Sequence, residues 1–197
     1  AVVMSEYPDI RYLQCPNSGI ARNKNRLLFR LFAIERCDVA VLLEDDTVPV
    51  ECGWLWRWAD GAAYYGSVSR GADATGGLGT LEYPYICRQV AAQCWSISRQ
   101  AWRDIGYLDY RFRSYGYEHA EWQRRAALRG YGGKIDAFYC LSDDDFFIDH
   151  EIQTTGTPEK IAESFEVLKL TVGDTGYKPP AENMAEFMLE CLTASER

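Results

Sequence analysis

A chain of 197 residues, nearly half of them apolar, can bury one sizeable α/β core and leaves little material for a second. Its net charge of −8 works against polyanionic partners, whose binding needs a surplus of Lys and Arg on one face, so no nucleic acid is expected as a ligand. A lone nucleotide diphosphate is repelled as well, unless some of the acids hold a divalent cation that reverses the local sign.

In chain order, residues 1–4 and 10–13 read as short strands ahead of the loop Cys15-Pro16-Asn17-Ser18-Gly19. Over 20–33, Leu27, Leu28, Leu31 and Phe32 recur at helical spacing among basic residues, which predicts a core-facing helix. Val39–Leu43 is an apolar run ending in acids, the pattern of a buried parallel strand whose C-terminal end opens on a ligand crevice. Residues 53–65, with Trp54, Trp56 and Trp58, predict a helix. The Gly-, Ala- and Thr-rich stretch 69–80 predicts a flexible, lid-like loop. A strand at 91–98 and a helix at 100–105 follow. An amphipathic helix over 118–129 carries the i,i+4 pair Glu121/Arg125 and stops at Gly130. Beyond it lie a strand at 134–139, a helix at 158–170 and, after Pro179-Pro180, a terminal helix at 181–192. The seven cysteines stand singly without a CxxC pair, which points to a reducing, cytoplasmic setting. No apolar stretch approaches the roughly 18 residues of a membrane span.

Glu44-Asp45-Asp46 is the strongest local signal. Three adjacent carboxylates at a strand end repel one another, so either a pKa rises or a cation pairs with them. In an extended chain Glu44 and Asp46 face one side and Asp45 the other, while a solvated turn is the plainer reading. The two histidines, His119 and His150, each lie beside carboxylates. An oxygen and imidazole set suits Mn²⁺ better than Mg²⁺. Asp143-Asp144-Asp145 is a rival ion site without a buried strand before it. Glu118 and His119 open a helix, where an acid complements the dipole or, functionally, presents a general base to an incoming hydroxyl. Asn17 to Asn25 supplies a glycine and then polar and cationic groups at a helix start, a setting that suits phosphate oxygens without being a P-loop.

The order of these segments resembles the GT-A glycosyltransferases, particularly the family 2 type. An Asn-x-Gly-x-Ala-Arg-Asn helix is followed by an apolar strand ending in acids, then Gly-Tyr-Leu-Asp-Tyr-Arg-Phe, then Tyr-Gly-Tyr-Glu-His-Ala-Glu-Trp-Gln-Arg-Arg and finally Asp-His. The resemblance spans roughly 17–150. It implies one catalytic domain over 1–197, with a mixed, mainly parallel Rossmann-like sheet flanked by helices and a C-terminal helical extension over 179–197. The family's first strand and helix, which help hold the nucleobase, have no clear counterpart here. The resemblance further implies that Asp46 and His150, with Glu44, hold Mn²⁺ (or Mg²⁺) against the diphosphate of a nucleotide-sugar donor, a UDP-sugar by family frequency. Glu44 and Asp45 then lie near the ribose, and Arg22 and Asn23 line the nucleotide pocket. Glu118 matches the acid of the family's Glu-Asp pair, and His119 replaces the Asp that often serves as the base. Either Glu118 or His119 is the base for a glycan or other hydroxyl acceptor, or no inverting base is used. Trp54, Tyr85, Trp95 and Tyr115 are candidate sugar platforms. The rival readings are a non-catalytic carbohydrate- or Ca²⁺-binding module and a metal-dependent nucleotide-sugar phosphohydrolase.

Overall fold

A computed structural model describes residues 13, 15–50, 52–134, 137–142, 144, 146–148 and 156–193. The first helix, α1 (Ile20–Leu28), starts at Gly19, whose φ of 89° and close approach to the Arg113 carbonyl leave no room for a Cβ. It continues as a π-helical stretch over Phe29–Ile34, where Glu35 N–H donates to the Arg30 carbonyl, five residues back, at 2.9 Å. Leu28 and Phe32 enter the core as their spacing predicts, whereas Leu27 is exposed.

β1 (Val39–Leu43) and β2 (Thr47–Pro49) precede α2 (Trp54–Tyr65), β3 (Ser67–Gly71), β4 (Tyr85–Cys87) and β5 (Val90–Ser98). Next come α3 (Arg99–Ile105), capped by the Ser98 hydroxyl, and α4 (Glu118–Leu128). β6 (Gly133–Lys134), β7 (Ala137–Leu141), β8 (Phe146–Ile148), α5 (Pro158–Thr171) and α6 (Met184–Thr193) complete the chain. The main sheet runs β1-β5-β3-β7-β4, with β6 also on β7, and β2 and β8 form a separate antiparallel pair.

The protein is α/β with a mixed sheet, but the expectation of a mainly parallel one is corrected. Among the described residues only β3 and β7 pair in parallel, and β1 lies antiparallel to β5. A short apolar run states that a strand is buried, not which way its neighbour runs, and the neighbour here arrives about fifty residues later.

Helices cover both faces. Ala40, Leu42, Trp95 and Ile97 point into the larger core with α1, α3, α4 and α6. The alternate residues Val41 and Cys94 meet Trp58 of α2 on the other side, as the two-residue period of a strand requires. Trp95 packs edge-on against Trp122 at 5.0 Å and is fully buried, so it is core and not a sugar platform.

The loop expected over 69–80 starts later, after Gly71. The first residues of that span belong to the buried strand β3, whose Ser67 and Ser69 hydroxyls accept bonds from the Gln123 amide at 2.9 and 2.8 Å. The rest is tied to β4 by reciprocal Thr75–Ile86 backbone bonds of 3.0 and 2.9 Å. The single strand expected over 134–139 is two short ones, β6 and β7, paired antiparallel. The seven cysteines are free thiols, and among the described residues no helix is long and apolar enough to cross a membrane.

Candidate functional site

Three segments distant in sequence meet at the C-terminal end of β1. The strand stops at Leu43, and residues 44–47 turn sharply, with the Thr47 N–H donating to the Glu44 carbonyl at 3.2 Å. The extended-chain expectation that Glu44 and Asp46 face one side therefore does not hold beyond Leu43. Glu44 turns toward α1, where the Lys24 ammonium contacts its Oε1. Asp46 is half-buried and accepts the Thr47 hydroxyl at 3.1 Å, while Asp45 is exposed.

Lys24 is the residue that the sequence pattern does not single out. It belongs to the polar start of α1 together with Arg22 and Asn23, but at 3.6 residues per turn Arg22 and Lys24 point about 200° apart. Lys24, only 8% exposed, faces the acids. Arg22 faces α6, donating through Nε and Nη2 to Glu190 at 3.2 and 2.6 Å. Exposed Asn23 accepts from Arg26 Nη1 at 2.5 Å. Arg22 also lines a cavity of about 650 Å³ that includes Ser18, Tyr110, Arg113, Glu186 and Glu190. The helix thus separates the Arg22 and Asn23 side from the Glu44 side. The signal available in sequence was the helical period, which places residues 21, 24, 25 and 28 inward.

The third segment is the start of α4. Gly116 and Tyr117 both adopt left-handed backbone, φ 101° and 68°, immediately before Glu118. For a tyrosine that conformation costs roughly 1–3 kcal/mol and persists only where surrounding contacts impose it. Tyr117 packs on Phe165 at 5.7 Å, and α4 is fastened to the sheet by Gln123 and to the α3 end by the Trp122 indole, which donates to the Gly106 carbonyl at 2.9 Å.

Glu118, 3% exposed, lies with Oε1 3.8 Å from Lys24 Nζ and 3.7 Å from His119 Nδ1. Burial alone would raise its carboxyl. The neighbouring His119 ring and the Lys24 ammonium outweigh that and hold it down to about 2. Its Oε2 has no hydrogen-bond partner. His119 Nε2 lies 3.0 Å from the Val90 carbonyl, while its Nδ1 has no hydrogen-bond partner.

A divalent ion needs more oxygen or imidazole donors than this turn brings together. Among the described residues no three His, Cys, Asp or Glu side chains converge on one point, and Glu44 is engaged by Lys24. The described residues alone therefore do not fit the ion. His150, Asp143 and Asp145 lie outside the described residues. The backbone of Ile148 pairs with that of Thr47, next to the turn that carries Asp46. Of the aromatic candidates, Trp54 and Tyr85 are half-buried against core clusters and Tyr115 is exposed.

No family model matches this chain, and neither a curated protein nor a solved structure matches it.

Proposed function

We propose that the chain is a glycosyltransferase of the GT-A type, moving a sugar from a nucleotide diphosphate donor, UDP-linked by preference, to a hydroxyl of a glycan or other small acceptor. The observation that carries the reading is the meeting of α1, the acidic end of β1 and the start of α4 through Lys24, Glu44 and Glu118. These are the segments whose order along the chain resembles that family, and their spacing in sequence alone does not require them to touch. The β2–β8 register adds support, because it brings the end of β8 to the turn that holds Asp46.

In this reading Glu118 receives the acceptor. Its unpartnered Oε2 is a hydrogen-bond acceptor suited to a sugar hydroxyl, and His119 lies beside the carboxylate with its Nε2 3.0 Å from the Val90 carbonyl. A carboxylate held near 2 is charged at neutral pH and orients the hydroxyl; it is a weak base until Lys24 or His119 moves away. Glu44 and Asp45 lie on the donor side. Mn²⁺ (or Mg²⁺) at Asp46 with His150 belongs to the proposal.

The test is calorimetry with UDP, GDP and free sugars, with and without Mn²⁺, followed by a product assay with an acceptor. Nucleotide binding with transfer supports the reading. Cleavage without transfer indicates a phosphohydrolase, and sugar binding without nucleotide binding a carbohydrate module. Asp46→Ala is expected to lower Mn²⁺-dependent donor turnover on the order of a hundredfold while leaving a cooperative melt, the scale of losing one electrostatic stabiliser of the transition state. Full turnover in that variant rejects Asp46 as a ligand.

A further inference from the structure

Cys87 of β4 and Cys140 of β7 are both buried, and with Val90 they form a small apolar cluster of their own. β4 and β7 pair antiparallel, with Tyr85 opposite Cys140 and Cys87 opposite Phe138, so the two cysteines are diagonal neighbours on one face of the sheet. Gly71, the last residue of β3, makes room for them. A Cβ at Gly71 would stand 2.1 Å from the Cys87 sulfur and 3.3 Å from the Cys140 Cβ, so the sulfur lies in the slot left by the missing side chain. The two thiols are hydrogen-bonded to each other. That bond holds Cys87 below the ordinary thiol range against the effect of burial, and it pushes Cys140 up.

We propose that Cys87 and Cys140 are a dithiol site that a hydroperoxide converts reversibly into a disulfide, with Cys87 as the attacking sulfur and Cys140 as the resolving one. In the first step the Cys87 thiolate attacks the terminal oxygen of the hydroperoxide. The O–O bond breaks, the alkoxide leaves as an alcohol after taking a proton, and Cys87 is oxidised to a sulfenic acid. In the second step the Cys140 sulfur attacks the Cys87 sulfur, the S–O bond breaks, and hydroxide leaves as water with the thiol proton of Cys140. Two thiols and one hydroperoxide thus give one disulfide, one alcohol and one water. Access needs only a local opening, because β4 ends the strand order of the main sheet and the exposed Arg88 and Gln89 follow Cys87 directly. The new bond ties β4 to β7 beside the start of α4, since Ala120 packs on the same cluster and the Val90 carbonyl lies 3.0 Å from His119 Nε2. This chemistry stands apart from the glycosyltransferase reading and does not depend on it.

The experiment treats the reduced full chain with hydrogen peroxide or tert-butyl hydroperoxide, blocks the remaining thiols with N-ethylmaleimide, and maps linked peptides by mass spectrometry. The Cys87–Cys140 peptide is expected to be the main linked species from the folded chain, to disappear with dithiothreitol, and to fall several-fold in share when the chain is oxidised in urea, where the slot is gone. No such peptide from the folded chain, or an equal share from folded and unfolded chains, overturns the proposal. Cys140→Ser is expected to leave a sulfenic acid on Cys87 that dimedone traps; trapping on Cys140 of Cys87→Ser instead overturns the assigned roles. Gly71→Ala is expected to lower the yield of the linked peptide several-fold, because its Cβ claims the place of the Cys87 sulfur. An undiminished yield overturns the proposal, and if circular dichroism shows that this variant does not fold, the comparison of folded and unfolded wild type decides.

Discussion

α4 carries two buried carboxylates one turn apart, and they are held in opposite ways. Glu121 is fully buried against Arg125, whose guanidinium donates to both carboxylate oxygens at 2.7 and 2.9 Å and to the carbonyls of Ile105 and Tyr107 at 2.6 and 2.7 Å. Glu118 has ionic neighbours at 3.7 and 3.8 Å, an oxygen without a partner, and a lysine shared with Glu44. The first arrangement leaves nothing for a ligand to improve and locks α4 to the α3 end. The second leaves donors and acceptors unsatisfied inside the fold, a cost accepted where something else must bind or move.

The largest expected effect breaks the first arrangement. Arg125→Met strands the Glu121 carboxylate without compensation and should cost about 3–5 kcal/mol in urea unfolding, the scale of splitting a buried pair. A loss below about 1 kcal/mol would mean that Glu121 finds another partner or is protonated at little cost.

Acid titration sharpens the contrast from the other side. The Glu118 carboxyl is lowered from an ordinary 4.5 to about 2, so the unfolded chain binds its proton first as pH falls. Its contribution is complete above about 4.5 and is lost between there and about 2, a change of roughly 3 kcal/mol at the cited shift. Glu118→Gln should flatten the stability curve in that window while leaving the rest of the acid limb. An unchanged acid limb in that variant would remove the charge contacts with Lys24 and His119 from the account.

The smallest effect sets the reference. Lys169 and Glu166 pair at 2.6 Å on the exposed face of α5. Lys169→Ala should change stability by less than about 0.5 kcal/mol, since solvent screens such pairs. A larger change would mean that proximity rather than burial separates the three pairs.

Much of the fold was legible from local pattern. The helix over 118–129, the run Val39–Leu43 and the helix over 158–170 are found within a residue or two, because each declares itself through neighbours three, four or two positions away. Ser67 to Gly71 was not legible as a strand. Its serines look like loop residues until Trp95 and Gln123, far along the chain, donate to Ser67 Oγ and remove the cost of burying it. The π-helical turn over Phe29–Ile34 was equally hidden, since a change of hydrogen-bond register leaves the apolar spacing nearly intact.

For the candidate site the division is sharper. Residue chemistry alone supplied the inventory: acids at a strand end, a polar helix start, and a carboxylate beside an imidazole at another helix start. Which of them touch was decided by packing. Lys24, and not Arg22, reaches Glu44 because burial of Ala21, Asn25 and Leu28 fixes how α1 is rotated. Glu118 meets the same lysine because Trp122 and Gln123 fix where α4 rests on the core. Periodicity is a property of a few neighbouring residues, whereas the rotation and placement of a whole helix are set by the core it buries against, and that information is spread across the entire chain.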